Sequence, residues 1–144
     1  MKRILIALLL AVASFAYGQN WLTDYTAALA QAKAKNKPVL IDFTGSDWCG
    51  WCIKLDKEVF NTDEFKTYAA KNLVLLKVDF PKRTPLPPEQ SARNTELAKR
   101  YGVQGFPTII LLHPDGTKAG EMGYQPGGPK AFISTMEKLS KNRN

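Results

Sequence analysis

The chain has 144 residues, 44% of them hydrophobic, which suits one compact domain with its own core and leaves no room for a second. Its formal charge is +7, but the lysines are scattered among Asp and Glu rather than gathered in a block, the pattern of a solvated surface and not of a nucleic-acid-binding face. Two cysteines and one histidine, His113, cannot supply the four ligands of a closed zinc site, so no metal centre is expected.

Residues 1–18 stand apart. Lys2 and Arg3 give a positive start, an unbroken apolar run extends from Ile4 to Ala13, and small residues recur at Ala16 and Gly18. This is the layout of a secretory signal peptide, with cleavage after Ala16 or after Gly18. The run is shorter than the roughly 20 apolar residues a membrane-spanning helix needs, so no stable membrane insertion is expected once it is removed. Losing Lys2 and Arg3 lowers the formal charge from +7 to +5, because residues 1–18 contain no acid. The expected organisation is a signal peptide over 1–18 and one domain over 19–144.

Along that domain, Leu22, Tyr25, Ala28, Leu29 and Ala32 recur at helical spacing, which predicts a helix over 21–35, capped by Thr23 or Asp24 and stopped at Asn36-Lys37-Pro38. Val39–Thr44 is a short, nearly continuous run of β-formers, the pattern of a strand covered on both faces, with Asp42 its polar exception. After a turn at Gly45-Ser46-Asp47, a helical pattern starts near Cys49 and carries Ile53, Leu55, Val59 and Phe60. Asn61-Thr62-Asp63-Glu64 reads as a fresh cap before a helix over 65–71. Residues 73–80 form a second buried strand, and the strand, helix, strand alternation predicts parallel pairing and an α/β class.

Residues 81–88 hold four prolines together with Lys82 and Arg83, an exposed loop rather than a linker between domains. A helix over 89–101 follows, then a strand at Thr108–Leu112, a Pro114-Asp115-Gly116 turn and a hairpin partner over 117–124. Residues 129–140, with Phe132, Ile133, Met136 and Leu139, close the chain as an amphipathic helix. Tyr25, Phe60, Phe65, Tyr68 and Phe132 are assigned to the core, and His113, at an apolar strand end, to a structural role.

The two cysteines, Cys49 and Cys52, are three positions apart. A bridge across so short a span constrains the unfolded chain very little, so a structural staple explains them poorly. On the first turn of a helix, thiols at i and i+3 point to the same side and exchange between dithiol and disulfide with small motion. Cys49, at the helix N-terminus, has its thiolate favoured by unpaired backbone N–H groups and is the expected nucleophile. Cys52, one turn deeper, is the expected resolving thiol.

Trp48-Cys49-Gly50-Trp51-Cys52 resembles the Trp-Cys-Gly-Pro-Cys centre of the thioredoxin superfamily, and Asp42-Phe43 resembles the strand end leading into it. Tyr101-Gly102-Val103-Gln104-Gly105-Phe106-Pro107-Thr108 is similar to the segment whose cis-proline faces the cysteines, and Gly123 to the glycine on the last strand. The resemblance spans almost all of residues 21–141. With Lys37-Pro38-Val39, Phe43-Thr44-Gly45-Ser46-Asp47-Trp48-Cys49 and Glu58-Val59-Phe60, it is most like exported bacterial thioredoxin-like proteins, similar to the C-terminal domain of transmembrane thiol reductases.

What the resemblance implies is a thioredoxin-like fold, a central mixed sheet of four to five strands flanked by helices, in a periplasmic protein. It implies thiol–disulfide exchange on protein thiols and disulfides with a partner protein that donates or accepts electrons, and no cofactor. Pro107 would follow a cis bond and, with Phe106, dock an extended substrate segment. Trp48, Gly50 and Trp51 would complete that docking surface. Asp42 would be the buried acid whose raised pKa serves proton transfer with the resolving thiol, and Lys77 its partner on the neighbouring strand.

The chain departs from the family pattern in three places. One extra residue separates Asp42 from Cys49, Gly50-Trp51 replaces Gly-Pro, and the loop from Pro81 to Asn94 is longer, either a partner surface or, as the favoured reading, a tolerated insertion. Reduction is the favoured direction, with oxidase or isomerase use of the same pair, and a non-catalytic binding module in envelope assembly, as the alternatives.

Overall fold

The computed structural model describes residues 19–142, and the expected signal peptide lies outside them. Strand β1 is Trp21–Leu22, followed by helix α1, Tyr25–Lys35, and strand β2, Val39–Thr44. Helix α2, Gly50–Leu55, runs without a break into a π-helical turn at Asp56–Phe60. Helix α3 (Asp63–Asn72), strand β3 (Val74–Asp79) and helix α4 (Pro88–Arg100) come next, then the hairpin of β4 (Thr108–Leu112) and β5 (Lys118–Met122), and helix α5 (Gly128–Ser140).

The five strands form one mixed sheet in the order β1-β3-β2-β4-β5, which agrees with the fold class expected from the sequence. β1, β3 and β2 are parallel, whereas β4 runs antiparallel to β2 and β5 antiparallel to β4. β2 lies at the centre, and all six of its residues are buried, as its apolar run requires. Two apolar layers cover the sheet. One gathers Leu40, Leu55, Val59, Phe60, Phe65, Leu75, Ile109, Phe132 and Met136 under α3 and α5. The other gathers Ile41, Phe43, Leu76, Val78, Leu97 and Ile110 under α1 and α4. On α1 only Ala28 and Ala32 are fully buried, small side chains that let the helix lie close on the sheet.

The differences from the sequence expectations have local causes. Trp21 and Leu22 are not helical: they pair with Leu75 and Leu76 as an edge strand, and the helix begins only after Asp24, whose carboxylate accepts the Ala27 N–H at 2.7 Å. Ile53, counted with the inward stripe of α2, is 48% exposed, because the face turned to the core is carried by Cys52 and Leu55. Tyr25 and Tyr68 are half-buried rather than core. Tyr25 keeps its hydroxyl at the rim, 2.8 Å from that of Tyr101.

Candidate active site

Cys49 and Cys52 are joined as a disulfide with their Cα atoms 5.2 Å apart. The bend that presents them is made by Gly45, whose carbonyl accepts the N–H of Cys49 at 2.9 Å. Cys49 is the N-cap of α2, and its Sγ receives the Cys52 N–H at 3.3 Å. That donor is one of the groups an α-helix leaves unpaired in its first turn, and it stabilises negative charge on this sulfur. Cys52 Sγ faces the Gly45 N–H at 3.5 Å. Cys49 is 7% exposed and Cys52 2%, so the sulfur nearer solvent is that of Cys49.

The peptide bond between Phe106 and Pro107 is cis, and the Phe106 carbonyl oxygen lies 3.7 Å from Cys49 Sγ. Pro107 is buried, and a side chain at Gly123 would lie 3.7 Å from its carbonyl. Cys49 and Phe106, 57 positions apart in the chain, therefore meet at the sulfur of Cys49.

Aromatic rings flank the pair on two sides. On one, Trp48 stands edge-on to Phe106 with centroids 6.0 Å apart, and Phe106 packs on Phe80 at 5.1 Å. The Trp48 indole N–H donates to the Phe80 carbonyl at 2.7 Å. On the other, Trp51, 57% exposed, lies 5.0 Å from Tyr124, whose hydroxyl donates to Glu58 at 2.6 Å. The Lys54 ammonium sits 5.4 Å from the Trp51 ring and 3.8 Å from Glu58. Trp48, at 37%, is also exposed, and Gly50 is open to solvent.

The carboxylates of Asp42, Asp56 and Asp79 are close enough for their charges to interact. Asp42 is 1% exposed, and its Oδ1 has no hydrogen-bond partner among the described residues. Burial, reinforced by the charge of Asp56, pushes its pKa up to about 8; Lys77 opposes this and Asp79 adds to it. Asp56 is itself raised by burial, with Lys77 lowering and Asp79 raising it. The Asp79 carboxylate accepts from both the backbone N–H (3.0 Å) and the hydroxyl (2.5 Å) of Ser46, anchoring the loop that leads to Cys49.

Lys77 lies at the same register as Asp42 on the adjacent parallel strand, but its ammonium sits 5.3 Å from the Trp21 ring. The two are close enough to influence one another and make no ion pair among the described residues. Loop 81–87 is tied to the turn before Cys49. Asp47 accepts the backbone N–H groups of Lys82, Arg83 and Thr84 at 2.9, 2.7 and 3.2 Å. Asn94 of α4 ties the loop's start through the Asp79 carbonyl at 2.8 Å.

Sequence reasoning missed Asp56, Asp79, Asp47, Phe80 and Tyr124. Asp56 had a legible sign: it falls four residues after Cys52, on the same helix face. Asp79 ends β3, Phe80 follows it, Asp47 sits in the turn before Cys49 and Tyr124 follows β5, and which partners each of them meets no periodicity encodes.

Residues 25–140 match the thioredoxin-like domain family. The chain is 40% identical over 120 residues to disulfide bond reductase DsbH of Chlamydia pneumoniae, covering 83% of this chain and 72% of that protein. A solved structure of a DsbH oxidoreductase superposes with a TM-score of 0.81 at 38% identity, covering 88% of this chain and 87% of the other. Thiol:disulfide interchange protein DsbD of Vibrio cholerae is 34% identical over 95 residues, 66% of this chain and only 14% of that much longer protein. With its mixed five-stranded sheet and its Cys-Gly-Trp-Cys pair at the start of α2, the chain belongs to the thioredoxin-like domain family.

Proposed function

We propose that the protein is a protein thiol–disulfide oxidoreductase of the cell envelope and that it runs as a reductase. The observation that carries this reading is the cysteine pair itself: the more exposed sulfur, Cys49, receives a backbone N–H from Cys52 and lies against the Phe106 carbonyl. A reductase and an interchange protein among the relatives support the same chemistry. Export rests on the charge and apolar run of residues 1–18. Among the described residues no helix is long and apolar enough to cross a membrane.

The cycle starts from the dithiol. The Cys49 thiolate attacks one sulfur of a substrate disulfide, forming a mixed disulfide and releasing the other substrate sulfur as a thiolate that takes up a proton. Cys52 then loses its proton and attacks Cys49 Sγ, closing the Cys49–Cys52 disulfide and releasing the second substrate thiol. Two electrons and two protons pass to the substrate. Asp42, its pKa raised to about 8, is mostly the neutral acid near neutral pH; its ionised fraction accepts the Cys52 proton, and that fraction grows as pH rises through about 8. Phe106 and Pro107 hold the substrate backbone, and Trp48, Gly50 and Trp51 form the surface around it. A dithiol partner protein restores the reduced state, and no bound cofactor takes part.

Cys52→Ser should accumulate a mixed disulfide between Cys49 and a disulfide-bonded substrate protein, while Cys49→Ser should form none. Equal trapping by both variants would overturn the assignment of roles. A potential near thioredoxin's, about −270 mV, supports reduction; one near −120 mV would make the protein an oxidant.

A further inference from the structure

The clamped loop beside the nucleophile has a chemical character of its own. Asp47, Trp48 and Cys49 are consecutive, and the first two both reach the segment around Lys82. Asp47 accepts only backbone N–H groups there, which leaves the Lys82 and Arg83 side chains outside the clamp. Both are exposed, and among the described residues neither forms an ion pair. The Lys82 ammonium lies 3.8 Å from the centre of the Trp48 ring, which places a cation one residue from Cys49.

The carboxylates of this edge are turned to the protein's own donors, Asp47 to the loop amides and Asp79 to Ser46. The backbone N–H of Lys82, then those of Arg83 and Thr84, and last the Arg83 charge hold the Asp47 carboxyl below its ordinary pKa. On the opposite flank Lys54 is matched by Glu58. Of the charged side chains described around the cysteines, those left unmatched, Lys82 and Arg83, are therefore positive.

We propose that loop 81–87, held in place by Asp47, is one wall of the substrate-docking face, and that Lys82 and Arg83 select protein disulfides flanked on that side by acidic residues. This rests on the reductase reading above and adds a substrate class to it. Exposed charge pairs are individually weak, but two acting together beside the reacting sulfur favour one partner over another. Asp47 is a positioning residue here: it acts on the substrate only through the loop.

The test uses the mature protein, reduced with dithiothreitol and desalted, and two synthetic peptides that share one disulfide loop, flanked by Asp-Glu in one and Lys-Lys in the other. Each reaction transfers two electrons and two protons from Cys49 and Cys52 to the peptide and is followed by the thiols released. The wild type should reduce the acidic peptide about fivefold faster at low ionic strength, and the gap should close in 0.5 M salt. Lys82→Glu/Arg83→Glu should invert the preference. Lys33→Glu, on α1 by the opposite end of the sheet, should leave it unchanged. Asp47→Ala should shrink the preference below about twofold; if that variant does not fold, the surface double variant still decides.

Equal rates on both peptides, or an unaltered preference in the double variant, would overturn the docking proposal and leave the reductase reading standing. A preference that Lys33→Glu also weakens would assign it to overall charge and overturn the proposal as well. Failure to reduce either peptide would instead strike the reductase reading.

Discussion

Asp42 and Lys77 stand in register on β2 and β3, yet Lys77 points its ammonium to the Trp21 ring and leaves Asp42 Oδ1 without a partner among the described residues. A buried carboxyl in that position is stable only as the neutral acid, and its pKa is accordingly pushed up to about 8.

The linkage of this group to stability has a definite sign. The unfolded chain releases the Asp42 proton near the ordinary value of 3.8, whereas the folded protein retains it up to about pH 8. The contribution is fully present below the lower value and is lost as pH rises through the higher one, at up to about 1.4 kcal/mol per pH unit in between. Asp42→Asn should remove this slope and be more stable than the wild type at pH 9. Urea denaturation from pH 4.5 to 9 checks it; parallel profiles for the two proteins would refute it.

Asp56→Asn should lower the pKa of Asp42. The charge of Asp56 is the second cause of the shift, after burial, so the value should move down from about 8 and remain well above the ordinary range. NMR titration of the Asp42 side-chain carbon reads this directly. In the exchange reaction, the pH at which the resolving step accelerates should move down with it.

Gly45→Ala should disturb the active-site loop more than its small size suggests. A Cβ at this position would lie 2.5 to 2.7 Å from three atoms of the Trp48 indole, so the ring must move and its bond to the Phe80 carbonyl be lost. Unfolding should become easier by about 1–3 kcal/mol, in the range of overpacked sites. Trp48 fluorescence should change, and attack by Cys49 should slow; a variant with wild-type emission and rate would contradict this.

Phe132→Ala and Ile53→Ala should differ sharply. Phe132 is fully buried between Phe60 and Phe65, with ring centroids at 5.4 and 5.9 Å, and its truncation should cost about 3–5 kcal/mol. Ile53 is about half exposed, and its truncation should cost no more than about 0.5 kcal/mol. Denaturant midpoints at unchanged slope measure both.

The sequence by itself determined the class of the fold, the order of its elements from α1 onward and the cysteine pair. Those features are written in short range: the apolar run of Val39–Thr44, the caps at Asp24 and Thr62, and the spacing of Cys49 and Cys52. It also held Phe106 and Pro107, because a resemblance carries a motif across a gap in the chain that periodicity cannot bridge.

Tertiary structure alone decided three things. It took Trp21 and Leu22 out of the first helix, because an edge strand on β3 buries them better than another helical turn. It sent Lys77 to the Trp21 ring instead of Asp42, and set Asp56 as the most influential charge on that acid. It also drew loop 81–87 onto Asp47 and Trp48. Each depends on which surfaces meet after the sheet assembles, and desolvation and long-range hydrogen bonding, which decide those meetings, leave no period in the chain.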